Sequence, residues 1–402
     1  MRNTDVLISG GGIGGSALAY WLRHYRFSVT VVERAPAPRP GGQAVDLRGA
    51  GRTVVDRMGL LGQVRAVSLD QKGLALVNEA GRMTARMPTG LFGGEGIVSE
   101  IEVLRGDLAD VLYAAAAPDA EYLFGDSIRG LHDDGDGVTV SFEHAGKRRF
   151  GLVAGADGLH SVVRGLAIGA EPDCVQPIGC YTAWFTGPAR DDIGGWFLMY
   201  NAPGGLVASV RPGRLPGEVK AGLSFRSGPL RYDRNDTGQQ MAILESRFAD
   251  VGWRVPGLLR DMRDAPDFFF EQMGQVRLGR WSNGRAVLLG DAGYCPTPLT
   301  GLGTSLALVG AYVLAGELAA AGGDHRAAFL RYEQVMRRYV ATAQELPPGG
   351  VGGYAPASAF MIRMRAASMR MMGRWPVRDL LARQFGKAAD IELPDYTSLA
   401  LR

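Results

Sequence analysis

The 402-residue sequence predicts an α/β chain: a parallel-sheet unit of the nucleotide-binding kind, interrupted by an antiparallel sheet and followed by a C-terminal helix. Three observations carry this expectation. At the N-terminus an apolar run, a glycine cluster and a helical stripe follow one another, and far downstream a second apolar strand, Ala286 to Leu289, runs into Gly290-Asp291. Between them, residues 174 to 275 alternate apolar and polar positions, with Pro and Gly at the turns.

Val6-Leu7-Ile8 reads as a buried strand that breaks at Gly10, and Ser16 to Arg26 reads as a helix with Leu18, Leu22 and Tyr25 on one stripe. Val29 to Val32 is the next strand, ending at Glu33. This β-α-β unit is Rossmann-like and holds G-x-G-x-x-G as Gly10, Gly12 and Gly15, with Glu33 lying 18 positions beyond the last Gly. The first Gly permits the tight turn, the second lets main chain touch a pyrophosphate, and the third lets helix pack on strand. A helix N-terminus there favours an anion, and Glu33 either accepts from a ribose hydroxyl or merely ends its strand at the surface. The candidate dinucleotide contacts of this unit are Gly10, Gly12, Ile13, Gly14, Gly15, Glu33 and Arg34.

Tyr181 to Phe185, Trp196 to Tyr200, Leu206 to Val210 and Ala221 to Phe225 read as the inserted strands, divided by turns such as Pro203-Gly204-Gly205. Tyr181, Trp184 and Phe225 either floor a pocket for a flat substrate, with Arg226 as polar anchor, or pack as core. Beyond the Pro347 to Gly353 hinge, a tail with Met361, Met364, Met369, Met371 and Met372 among Arg363, Arg365, Arg370 and Arg374 reads as a helix. A helix packed over the two preceding units is preferred to a membrane-surface helix, because methionines at helical spacing usually belong to a core. The expected division is a discontinuous cofactor unit over 1–70, 98–173 and 276–345, a substrate-binding sheet unit over 71–97 and 174–275, and a helical segment over 346–402.

Composition narrows the function. With 44 basic against 41 acidic residues the net charge of +3 argues for neither a nucleic-acid nor a membrane partner. Three cysteines without a C-x-x-C pair fit a reducing cytoplasm, and the five histidines show no metal-ligand spacing. The five glycines between Gly10 and Gly15 spoil any signal-peptide core, and the apolar run Leu306 to Gly316 falls short of a bilayer span. A monomer or homodimer is expected.

Glu33 suits NAD(P) and FAD alike, and none of the four lysines completes a Tyr-x-x-x-Lys pair. Two distant segments decide. With the N-terminal triplet, Asp157-Gly158 with Ser161 and Arg164, and Gly290-Asp291 followed by Pro298, Gly301 and Gly303, resemble the class A flavoprotein monooxygenases, the p-hydroxybenzoate hydroxylase family. Gly41 to Gly49, Leu104 to Leu108 and Gly290 to Leu318 look most similar to the tetracycline-inactivating members. The resemblance implies noncovalent FAD, with Arg105 reaching its phosphates, Gln43 and Asp46 beside the flavin, Asp157 near the cofactor and Asp291 on the ribityl chain. It also implies that Pro298, Gly301, Leu302, Gly303 and Thr304 face the flavin pyrimidine. The implied reaction takes electrons from NADPH or NADH and uses O2, through a flavin C4a-hydroperoxide, to hydroxylate an aromatic or polycyclic substrate. Tyr294, Leu302 and Ser305 stand where many members have His, Gln and Asn, so no acid/base residue is assigned. Tyr294 and Cys295 read as packing residues. A flavin oxidase or reductase, and a flavoprotein that sequesters a drug or pigment, are the alternatives; a halogenase is disfavoured because no W-x-W pair is present.

Overall fold

The computed structural model describes residues 3–39, 41–93, 96, 98–373 and 386–399. The chain opens with β1 (Asp5–Ser9), α1 (Ile13–His24) and β2 (Ser28–Glu33). Then come β3 (Ala44–Asp46), α2 (Gly49–Arg57), α3 (Leu61–Ala66), β4 (Gly73–Val77), β5 (Met83–Pro88), β6 (Glu102–Leu104), α4 (Arg105–Ala116) and β7 (Glu121–Phe124). A small meander, β8 (Ile128–Asp133), β9 (Val138–Phe142) and β10 (Lys147–Phe150), precedes β11 (Leu152–Gly155), α5 (Val162–Ala167) and α6 (Glu171–Cys174). The middle of the chain is β12 (Val175–Pro188), β13 (Trp196–Ala202), β14 (Leu206–Pro212), β15 (Glu218–Arg226), α7 (Thr237–Phe248), α8 (Val255–Arg263) and β16 (Phe269–Val276). It closes with β17 (Ser282–Asn283), β18 (Ala286–Leu288), α9 (Asp291–Tyr294), α10 (Gly303–Ala320), α11 (His325–Ala343), α12 (Gly350–Tyr354) and α13 (Ala359–Met371).

Two sheets organise these elements, and the fold is mixed α/β as expected. The first runs β17-β18-β11-β1-β2-β7, parallel from β18 to β7, because its strands are continuous apolar runs fit for burial on both faces. Crossing helix α10 is apolar all round and long enough by composition to span a bilayer, yet it is mostly buried, packed against α1, α2 and α11. The second sheet runs β16-β12-β15-β14-β13-β4-β5, antiparallel except where β4 lies parallel to β13. Strict alternation there gives it two faces.

Two expectations need correction. The stretch from 174 to 275 is not all strand, since α7 and α8 occupy 237–263 and bury Leu244, Phe248, Val255, Leu258 and Met262 on the second sheet. The signal was present in Asp236, whose carboxylate caps α7 at the Gln239 amide, 2.9 Å away. The tail helix does pack, through Ala366 and Met369 against β5 and β13, but Met361, Met364 and Met371 are exposed. Arg374 lies outside the described residues.

Candidate active site

The turn between β1 and α1 is shaped by contacts that only hydrogen permits at two positions. Gly10 has φ +101°, and a Cβ on it would stand 2.6 Å from the Ala156 carbonyl oxygen; one on Gly15 would stand 1.8 Å from the Gly10 oxygen. Gly14 packs on α10, its Cβ position 3.5 Å from that of Ala307, and Ile13 is buried as the first residue of α1. Gly12 differs. Its Cβ position meets nothing within 4 Å except Arg105 Nη2 at 3.5 Å, so the main chain there faces an open groove with a cation beside it. Glu33 accepts from the amides of Gly11 and Ala35, each at 2.8 Å, which fixes the turn and leaves each carboxylate oxygen a further lone pair. Arg34 is exposed next to it. Carbonyls of Gly41 and Gln43 accept from Gly106 and Arg105, at 2.8 and 2.9 Å, and so pin this loop to the start of α4.

The other end of the groove is built by the strand that delivers Asp291. Its carboxyl is exposed to the groove but crowded by protein on its other sides, and this burial raises its pKa against the pull of Arg105. Gly303, the first residue of α10, would put a Cβ 3.7 Å from Asp291 Oδ1, so helix N-terminus and carboxyl converge. The turn Pro298–Thr300 leads into Gly301 at φ +66°, against which Asp46 Oδ2 would stand 3.2 Å from a Cβ. Asp46 pairs with Arg48 at 2.6 Å and accepts from the Ser99 amide at 3.0 Å. Thr297 adopts φ 79° without being glycine, a conformation costing of order 1–3 kcal/mol that neighbouring packing must impose. Leu302 is buried at the cap of α10, with Thr304 half-buried in its first turn. Ser305 donates to the Arg48 carbonyl at 3.0 Å, tying helix to loop.

Asp157, expected near the cofactor, has its carboxylate committed within the protein. Its carboxylate accepts from the Ser9 and Ser161 hydroxyls and from the Val162 and Val163 amides, so it caps α5 and turns inward. Arg164, fully buried, donates to Leu159 and Ala292 carbonyls at 2.7 and 3.0 Å and thereby fastens this motif to the residue after Asp291. The two segments recognised separately in sequence are one structural unit. The packing reading of Tyr294 and Cys295 agrees with their environment: Tyr294 Oη lies 2.8 Å from Tyr332 Oη inside the core, and burial pushes the Cys295 thiol well above its ordinary pKa.

The donor set fits a flavin dinucleotide: bare main chain at Gly12 with Arg105 for phosphates, Glu33 for a ribose, Asp291 for a polyol, and an open helix N-terminus at Gly303. Comparison with known proteins agrees. Residues 3–345 match the FAD binding domain family. A flavin-dependent monooxygenase of Legionella longbeachae is 35% identical over 344 residues, 86% of this chain and 88% of that one. The chain belongs to the FAD-dependent monooxygenases. An uncharacterized protein of Mycobacterium tuberculosis is 45% identical over 355 residues, 87% of this chain and 94% of its own. The crystal structure of tetracycline destructase Tet(55) superposes with a TM-score of 0.81 at 33% identity, covering 98% of this chain and all of that one.

In this monooxygenase the substrate-side expectations divide by strand phase. Tyr181 and Phe225 are wholly buried and stack at 5.4 Å between ring centroids under α7 and α8, on the face turned away from the cofactor loops. They are core, a correction of the pocket-floor expectation. Their neighbours Thr182 and Ser224 occupy the other face, joined by a 2.9 Å hydrogen bond. Trp184 shares that face and lies on Gly222, where a Cβ would come within 2.6 Å of the ring. Arg226 is exposed at the rim, its stem over Gly205. Sequence reading also passed over Arg211 and Glu102, which pair at 2.7 Å, and burial raises the Glu102 pKa despite that arginine. Glu102 stands directly across from Asp46 on the β3–β6 ribbon.

Proposed function

We propose that this monooxygenase uses NADPH or NADH and O2 to hydroxylate an aromatic or polycyclic, tetracycline-like substrate, with water as the second product. The observation that carries the reading is the face of the second sheet that bears Trp184, Thr182 and Ser224, combined with the likeness to a tetracycline destructase over nearly the whole chain. Bound FAD supplies acceptance of hydride from the nicotinamide and activation of O2. Arg105 and the Gly12 main chain hold its phosphates, Glu33 its adenosine ribose and Asp291 its ribityl chain, while the N-terminus of α10 favours negative charge on the flavin pyrimidine. The protein's remaining work is to hold an electron-rich carbon beside the cofactor and to exclude water, whose access releases hydrogen peroxide. The first sheet belongs to a cofactor unit and the second to a substrate unit, divided near residues 71, 98, 174 and 276. The protein acts in the cytoplasm as a monomer or homodimer.

The test is NAD(P)H consumption by the purified yellow protein against polycyclic phenols and tetracyclines, with mass spectrometry of the product. Substrate-stimulated consumption with a gain of one oxygen supports the reading. Stimulation yielding peroxide alone supports an oxidase, and binding without turnover supports sequestration. Asp291→Ala is expected to raise the FAD dissociation constant about tenfold or more, from about 1.5–3 kcal/mol lost with a hydrogen bond to a charged group. Fluorescence titration of the apoprotein measures it, and native affinity would reduce Asp291 to a helix cap.

A further inference from the structure

If the substrate is aromatic, as proposed above and as this inference requires, something must orient it on the sheet face that bears Thr182 and Ser224. Arg365 of α13 reaches that face. Its Nη1 donates to Asn201 Oδ1 and, at 3.0 Å, to the Tyr354 carbonyl, while Nη2, among the described residues, hydrogen-bonds only the Met199 sulfur at 3.2 Å. A thioether is a weak acceptor, so one edge of the guanidinium keeps its hydrogen-bonding capacity. Arg365 is half-buried, and the fully buried cations of this region are neutralised: Arg211 by Glu102 at 2.7 Å, Lys220 by Asp267 at 2.7 Å and Arg48 by Asp46 at 2.6 Å. No carboxylate pairs with Arg365 among the described residues. Arg164 also lacks an acid, but main-chain carbonyls accept from both its Nη1 and its Nη2. Burial draws the Arg365 guanidinium down to about 10, which leaves it cationic at neutral pH. A half-buried cation without a carboxylate partner offers a place for an anion.

The neighbourhood leads from this cation to the cofactor. Asn201, Val207, Ser224 and Thr182 lie in register across β13, β14, β15 and β12, a single row on that face. Tyr354 Oη hydrogen-bonds Ser224 Oγ at 3.0 Å, and α12, which ends at Tyr354, packs on the Pro298–Thr300 turn. We infer that the Nη2 edge of Arg365 binds an ionised oxygen of the substrate, a phenolate or enolate, and thereby selects acidic phenols and fixes which ring faces the flavin. The planar guanidinium suits a flat oxyanion better than an ammonium does.

The experiment uses the FAD-loaded protein, with Arg365→Gln and Arg365→Lys, titrated calorimetrically with alizarin above its first phenol ionisation and with alizarin dimethyl ether. Wild type is expected to bind alizarin at least tenfold more tightly than the ether. Arg365→Gln is expected to lose that preference with FAD content and ether affinity intact, and Arg365→Lys to keep part of it. Full preference in the Gln variant, or none in the wild type, overturns the inference. The wild-type comparison decides alone if the Gln variant does not fold. Product analysis in parallel separates the two levels: a gain of one oxygen with unchanged preference removes the Arg365 site and leaves the hydroxylase standing, whereas peroxide alone removes the hydroxylase.

Discussion

Gly12→Val is expected to give a folded, colourless protein. Gly12 has φ −75° and ψ −166°, extended values that any residue adopts, so valine brings no backbone strain. Among the described residues beyond its chain neighbours, the one atom within 4 Å of its Cβ position is the end of the flexible Arg105 side chain, at 3.5 Å, so the chain packs as before. The isopropyl group instead fills the groove where main chain must approach the pyrophosphate, and loss of that approach removes the dipole and amide contacts together. Flavin absorbance per mole of protein should fall to background while circular dichroism stays native. Full flavin content in this variant would make the glycine purely structural. Gly15→Ala marks the contrast, for its Cβ would lie 1.8 Å from a main-chain oxygen and the unit could not close.

Gly310→Ala should destabilise the fold although it sits inside a helix, where alanine ordinarily gains about 1 kcal/mol over glycine. A methyl there would lie 2.1 Å from Tyr294 Oη and 2.8 Å from Leu289 Cδ1. The Tyr294 hydroxyl is bonded to Tyr332, which in turn donates to the Leu288 carbonyl at 3.1 Å, so the ring has little freedom to retreat. Overpacking of this sort costs about 1–3 kcal/mol or more and exceeds the helical gain. Tyr294→Phe alone should cost about 1 kcal/mol for its hydrogen bond. Joined with Gly310→Ala it should recover part of the lost stability, since the nearest ring atom left is 3.4 Å away and only the Leu289 Cδ1 contact at 2.8 Å remains. Denaturant midpoints of the two singles and the double measure this coupling, and additivity would refute the clash.

Much of the cofactor groove was legible because its signals are local. Gly10, Gly12, Gly15 and Glu33 sit within one β-α-β unit, and Asp291 follows its strand directly. Of the four residues expected at the substrate, Trp184 and Arg226 share the face of Thr182 and Ser224 while Tyr181 and Phe225 lie on the core face, because large aromatic side chains attract attention whichever way they point. Alternation shows that 181 and 182 face opposite ways but not which way is the core. That choice depended on α7 and α8, whose apolar stripes cover the aromatic face. Arg365 was visible only as one arginine of a basic tail, since its partners Asn201 and Tyr354 are distant in sequence and share no pattern with it.

The parallel sheet carries a consequence for the protein's biosynthesis. Its central strands β1 and β11 come from residues 5–9 and 152–155, but β18, which neighbours β11, is not made until residues 286–288. Asp291 and the start of α10 come later still. While the ribosome works through the 130 or so residues between β11 and β18, the nascent chain holds a half-built sheet with an open edge at β11 and a nucleotide turn lacking the far wall of its groove. Such long-range pairing is slow and leaves strand edges exposed to aggregation. FAD capture therefore waits until β18, Asp291 and the start of α10 have been made, well after the nucleotide turn itself.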